Sequence, residues 1–335
     1  MMIQLSRIDV NLYKKWGINM TIVKNIFKII GIALIALIIL MLICLAVLMY
    51  LGNKPINDKY YKKVKTDYEL EQKYTNYGEY EINSYEVASN EENFKTYKVW
   101  YPSKLENSND LYPVVVMVNG TGVPVNKYEA TFKHLASWGF VVIGNDDANS
   151  WDGVSTSKSL DFLLSLNNDK QSIFHNKIDL ENIGVSGHSQ GGEGAINAVT
   201  NFDNSSYYKS IYTASTPHKI LAEAVFGTYD VSKINIPYFM TAGTKQTDAG
   251  NGKDAGIAPL WSLEENYNTV SDDVMKVQAR RSNADHGEML TLADGYMTAW
   301  FRYLLLNDKD AAKIFEENNS ELLLNTNWQD VKINN

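Results

Sequence analysis

From Ile29 to Leu51 the chain carries no charged side chain. A helix over that run, at 1.5 Å per residue, is about 34 Å long and crosses the hydrocarbon layer of a bilayer. The pattern then turns polar: Asn53 to about Asn76 is charged and rich in tyrosine with no clear period, which predicts a tether over residues 52–77. Alternation begins at Tyr80 to Val87 and resumes at Phe94 to Tyr101, with the turn residues Ser89 to Asn93 between, so the spacing predicts an antiparallel hairpin. Pro113 to Val118 is a continuous apolar run of the kind that is buried on both faces of a sheet. From there strand and helix patterns alternate. A helix is expected around 128–138, a strand over 140–143, a helix around 158–166, and a strand over 183–186 that feeds a small-residue helix. Strands near 209–214 and 237–242, a helix near 260–268, a last strand over 275–280 and a final helix over about 295–307 follow. An antiparallel start and β/α alternation predict an α/β domain over residues 78–335, with a mostly parallel, doubly wound sheet and helices on both faces.

Composition narrows the classes. The apolar run is longer than the 7–15 residues of a cleavable signal peptide and lacks a small-residue cleavage site, so residues 29–51 are expected to be an uncleaved signal anchor behind a short basic segment, 1–28. Lys and Arg do not orient it: Arg7, Lys14, Lys15, Lys24 and Lys28 precede the run, and Lys54, Lys59, Lys62, Lys63 and Lys65 follow it. A long domain translocates largely regardless of charge, which favours a single-pass protein of the cell membrane with its domain outside. The basic run after the span reads as a solvated linker, or as a contact for anionic headgroups. The single cysteine, Cys44, lies within the span, so the globular part has no disulfide framework and no thiolate metal site. No histidine pair has zinc-protease spacing, and no metal or cofactor is expected. A net charge of −8 argues against nucleic acid as a partner.

The chemistry concentrates at Gly187-His188-Ser189-Gln190-Gly191, between the strand pattern and the small-residue helix. That is the context of a G-x-S-x-G nucleophile elbow, in which a sharp turn holds the serine hydroxyl above the end of a parallel strand. A serine needs a base within hydrogen-bond reach and a carboxylate to orient that base, in the chain order Ser, acid, His. Of five histidines only His218 and His286 follow the elbow, and His286 lies in a polar loop between the last expected strand and the final helix. His286 is therefore the candidate base. Asp248, close behind the strand that ends at Gly243, is the preferred acid; Asp254 is the alternative and Asp285 ranks third. His188 is expected to point away from the serine in a structural role, and His134 has no assignable partner. Two main-chain N–H donors are needed for an oxyanion, and Gln190 and Thr121, the latter from Asn119-Gly120-Thr121-Gly122, are the candidates. His218 and Trp151 are candidate pocket residues, with core packing as the ordinary alternative for any one aromatic.

These features together resemble the α/β-hydrolase superfamily: Ser189 in its elbow, Asn119-Gly-Thr-Gly before a helix, the stretch Ser137 to Asp147, and Asp285-His286 followed by Thr298-Ala-Trp-Phe-Arg-Tyr-Leu. The chain is most similar to the dienelactone hydrolase and cutinase-like polyesterase branch, over about Tyr80 to Phe315. The resemblance implies a serine esterase or lipase-type hydrolase without cofactor, and it implies Thr121 and Gln190 as oxyanion donors with His286 as base. Three features depart from it: the segment 245–254 is longer than the usual acid turn, the nucleophile is not a thiol, and the domain lacks a cysteine pair. The expected reaction is cleavage of a small-molecule or lipid ester through an acyl-serine. The same residues also suit acyl transfer or amide cleavage, and a non-catalytic binding module is the remaining reading.

Overall fold

The computed structural model describes residues 20–52, 54–252, 255–316 and 319–334. It divides into two units, Met1–Lys54 and Pro55–Asn335. In the first, helix α1 spans Met20–Gly52, and its stretch Ile22–Cys44 is long and apolar enough to cross a membrane. Its described isoleucines and leucines are exposed. The helix starts before the expected 29 because Lys24 and Lys28 tolerate a helix as well as the apolar residues do. Arg7, Lys14 and Lys15 lie outside the described residues.

The second unit is built on a nine-stranded sheet. After a single 3-10 turn at Tyr60–Lys62, its first α-helix is the short α2, Glu69–Thr75. Strands β1 (Ile82–Ala88) and β2 (Thr96–Pro102) form the expected hairpin. Then come β3 (Tyr112–Val118), helix α3 (Glu129–Ser137), β4 (Val141–Asn145), helix α4 (Val154–Asn168), β5 (Ile178–His188) and helix α5 (Gln190–Asn201). After these follow β6 (Tyr208–Ala214), helix α6 (Lys219–Val225), β7 (Tyr238–Gly243), helix α7 (Leu260–Thr269), β8 (Lys276–Arg281), helix α8 (Asp294–Leu306) and β9 (Trp328–Asn334). The strand order is β1-β2-β4-β3-β5-β6-β7-β8-β9, parallel from β4 to β8 and antiparallel at both edges.

Strand β3 shows why its sequence has no polar alternation. Val114, Val116 and Val118 enter one core layer with Leu160 and Ile196, while Val115 and Met117 enter the other with Phe132 and Trp300. Successive side chains point to opposite faces, so a strand covered by helices on both sides must be apolar throughout. Its register on β5, Val116 to Val185 and Val118 to Gly187, sets the elbow beside the end of β3.

Two expectations need correction. The strand over 275–280 is not the last, because β9 pairs antiparallel with it, Arg281 opposite Trp328. Residues 55–77 are also not a free tether. Tyr60, Val64 and Tyr74 are buried, while Lys59, Lys62, Lys63 and Lys65 between and around them stay exposed. Glu321 accepts the N–H groups of Leu70 (2.8 Å) and Glu71 (2.7 Å), and buried Glu71 accepts from Trp328 Nε1 and Asn325 Nδ2, both at 2.8 Å. The segment has no period of its own because its buried residues fill gaps in a surface made by other elements.

Candidate active site

Ser189 is the single residue between β5 and α5, and it has φ 58° and ψ −130°. A positive φ outside glycine is uncommon and marks a strained turn held by its surroundings. Two glycines make the turn possible. A Cβ on Gly187 would fall 1.9 Å from the Gly191 carbonyl oxygen, and one on Gly191 would fall 2.2 Å from that of Val118. The Ser189 N–H is held by Ala214 O at 2.9 Å, and the Gly192 N–H closes the turn onto Ser189 O at 2.8 Å.

His286 opens a single helical turn, His286–Glu288, after β8. The Asp285 carboxylate accepts the His286 main-chain N–H at 2.9 Å, and the Asp285 N–H donates to Glu288, so Asp285 is spent on capping that turn. The imidazole turns instead to Asp248, whose Oδ1 lies 2.7 Å from His286 Nδ1. Asp248 is fully buried at the short helix Gln246–Ala249, and its Oδ2 accepts Ser215 Oγ–H at 2.6 Å and the Gly243 N–H at 2.7 Å. Burial alone raises such a carboxyl, but His286, Ser215 and Gly243 outweigh it and hold Asp248 below the usual carboxylate range. Asp254 lies outside the described residues. Ser215, with φ 54° just past β6, is a second donor to the carboxylate that the sequence reading missed, since a serine in a loop before proline carries no distinguishing signal.

The loop after β3 abuts the elbow, for a Cβ on Gly120 would sit 3.4 Å from Ser189 Cβ. Val123 N–H closes a turn onto Gly120 O (3.2 Å), Gly122 N–H is taken by Ala148 O (2.8 Å), and Gly120 N–H donates to the Tyr128 hydroxyl (2.8 Å). No hydrogen bond engages the Thr121 N–H among the described residues. The Gln190 N–H is the first of α5, where amides have no acceptor within the helix and the dipole favours negative charge. The Gln190 side chain is buried and braces the neighbouring loop, accepting from Ser150 N–H and donating to Asn149 Oδ1, each at 3.2 Å.

His218 caps α6, its Nδ1 accepting the Leu221 N–H at 3.3 Å, and its ring lies 5.0 Å from that of Trp261. It lines a cleft of about 740 Å³ with Ile220, Leu221, Ala224, Thr247, Ile257 and Asp285. Trp151 is not on that wall; its ring lies against Gly227, where a Cβ would come within 1.9 Å. His188 packs beside the His286 ring, and its Nε2 meets the His286 carbonyl oxygen at 2.8 Å. His134 has a partner after all: Nδ1 lies 2.7 Å from Asp294 Oδ2 in the core. One carboxyl escaped notice altogether. Glu193 in α5 is fully buried, neither oxygen has a hydrogen-bond partner, and burial pushes its carboxyl up to about 8. Among the described residues no group of three or more His, Cys, Asp or Glu is placed to hold a metal ion.

A model of the PET hydrolase-like family matches residues 70–330. No curated protein matches the sequence.

Proposed function

The chain belongs to the PET hydrolase-like family of ester hydrolases, and from that premise we propose that it is a membrane-anchored serine esterase acting through an acyl-serine intermediate. The observation that carries this reading is the buried Asp248 carboxylate at 2.7 Å from His286 Nδ1, with the His286 main chain hydrogen-bonded to the neighbour of Ser189. Ser189 Oγ attacks the ester carbonyl carbon as His286 Nε2 takes its proton. Asp248 holds the Nδ1–H and offsets the charge of the imidazolium that forms. The oxygen of the tetrahedral intermediate accepts from Thr121 N–H and Gln190 N–H, each typically worth about 3 kcal/mol in such sites. His286 then gives the proton to the departing alcohol. Water repeats the sequence on the acyl-serine to release the acid.

The cleft beside His218 is the proposed seat of the substrate, with Ile220, Leu221, Ala224 and Ile257 offering an apolar wall to a small-molecule or lipid ester. Helix α1 is the proposed anchor, with the Pro55–Asn335 unit outside the cell; protease added to intact cells should then remove that unit and leave a membrane-embedded stub.

The test is hydrolysis of p-nitrophenyl acetate, butyrate and palmitate by the full chain in detergent micelles, beside Ser189→Ala, with a fluorophosphonate probe on both. Turnover and labelling that vanish together in the variant support the reading. A folded wild-type protein that neither turns over any ester nor takes the probe refutes it.

A further inference from the structure

His188 precedes Ser189 in the elbow and is almost fully buried. Its ring lies 4.7 Å from that of His286, and its Nε2 is 2.8 Å from the His286 main-chain oxygen. A carbonyl oxygen only accepts, so His188 Nε2 must carry the proton. The other nitrogen, Nδ1, is then an acceptor in a neutral ring, and it is buried without a partner.

A second orphan acceptor shares its surroundings. Asp294 uses Oδ2 for His134 Nδ1 (2.7 Å) and the Tyr60 hydroxyl (2.5 Å), while Oδ1 is buried with no partner. His188, Asp294 and Tyr128 line one small cavity of about 20 Å³ beneath the elbow, room for about one water. The Tyr128 hydroxyl accepts the Gly120 N–H and still has its own proton to give. By donor and acceptor count, the three groups would suit one water that donates to His188 Nδ1 and Asp294 Oδ1 and accepts from Tyr128 O–H. Three polar partners is the usual count for a buried water.

We propose that His188 is a positioning residue: its neutral, Nε2-protonated ring ties the main chain of His286 to the elbow, and a buried water shared with Asp294 and Tyr128 fixes that tautomer. The role rests on the serine hydrolase reading, in which His286 is the base. The base is then held at two points, its ring by Asp248 and its main chain by the residue beside the nucleophile. Neutrality matters because His286 must become an imidazolium, and a second cation 4.7 Å away would oppose it. The charged or titratable groups acting on the His188 ring are His286, Asp248 and Lys127, with Asp294 across the cavity. Burial, and after it His286, hold His188 well below the usual histidine range.

Two variants of the full chain separate the hydrogen bond from mere packing. His188→Gln places an amide N–H where Nε2 was, and His188→Leu fills the space without a donor. We expect His188→Leu to lower kcat roughly 30-fold or more with KM within about threefold, as for a slightly misplaced base, and His188→Gln to recover most of it. Wild-type kcat in His188→Leu, or equal damage in both variants, overturns the proposal. Nitrogen-15 NMR of histidine-labelled wild type gives a readout independent of turnover: His188 should remain neutral with Nε2–H from pH 5 to pH 8. Titration within that window, or the Nδ1–H tautomer, overturns it, whereas loss of all ester turnover with the tautomer in place would count against the esterase reading alone. A crystallographic map with no water at His188 Nδ1 removes the water from the proposal.

Discussion

Replacing Glu193 by Gln should flatten the dependence of folding stability on pH. Glu193 follows the elbow by four residues, both its oxygens are buried without hydrogen bonds, and burial moves its carboxyl from 4.5 to about 8. The folded protein therefore keeps a proton that the unfolded chain releases above pH 4.5. Because the folded state binds more protons across that range, stability falls as pH rises. The contribution is whole below about pH 4.5 and is gone once pH has passed about 8. Between those limits one proton changes stability by about 1.4 kcal/mol per pH unit, so roughly 3 kcal/mol is lost from pH 5 to pH 7. Gln has the shape of the neutral acid and does not titrate. It brings a second unpaired donor, so an offset of about 1–2 kcal/mol against the variant is expected at pH 5. The informative quantity is the change in the difference between the two proteins, in which other titrating groups cancel. Denaturant unfolding of the full chain in micelles, followed by tryptophan fluorescence at pH 5, 6, 7 and 8, measures it. Parallel stability curves for wild type and Glu193→Gln would refute the argument, since they would mean the carboxyl ionises in the fold at its ordinary pH.

Other perturbations have distinct signatures. Asp248→Asn should lower kcat by about 10³–10⁴-fold in the p-nitrophenyl ester assay, because the amide favours the wrong imidazole tautomer, while Asp285→Asn changes kcat less than about threefold. Thr121→Pro should cut kcat by about 10²–10³ and leave the melting temperature nearly unchanged: with Gly122 at φ 65° the turn accepts proline at position 121, yet the N–H is lost. Thr121→Ala keeps that N–H and should keep kcat. Glu71→Ala leaves the buried Trp328 and Asn325 donors without their acceptor and should cost about 2–4 kcal/mol in denaturant unfolding.

The sheet was legible where a residue's own neighbours in sequence decide its environment. Val114 to Val118 reads as a doubly covered strand because both faces impose the same requirement, and Gly187 and Gly191 mark the elbow because only a missing Cβ allows the approach. Strand β9 and residues 55–77 were misread or missed because their burial is set by partners distant in sequence, β8 for the one and, for the other, residues as near as Ala130 and as far as Trp328. The choice of acid was hard for a similar reason. Chain distance from β7 does not say which carboxylate faces His286; the short helix Gln246–Ala249 does, by carrying Asp248 back beneath Gly243 and Ser215. His188 was expected to be structural, but nothing in the sequence says that its Nε2 reaches the main chain of His286.

The contacts of the segment 69–75 with residues 321–328 also dictate an order of events during synthesis. Leu70, Glu71 and Tyr68 find hydrogen-bond partners in Glu321, Trp328 and Thr326, so although Tyr74 and Thr75 can already meet Trp138 and His134, this early-made stretch completes its hydrogen bonds only when nearly all of these residues have left the ribosome. Contacts of such long sequence separation are slow to form, because their loop-closure cost comes before their reward. A nascent chain stopped short of residue 320 would thus hold the Glu71 carboxylate and the Tyr68 hydroxyl without these partners. The last surface of the unit to be finished would then lie in the part that emerged earliest.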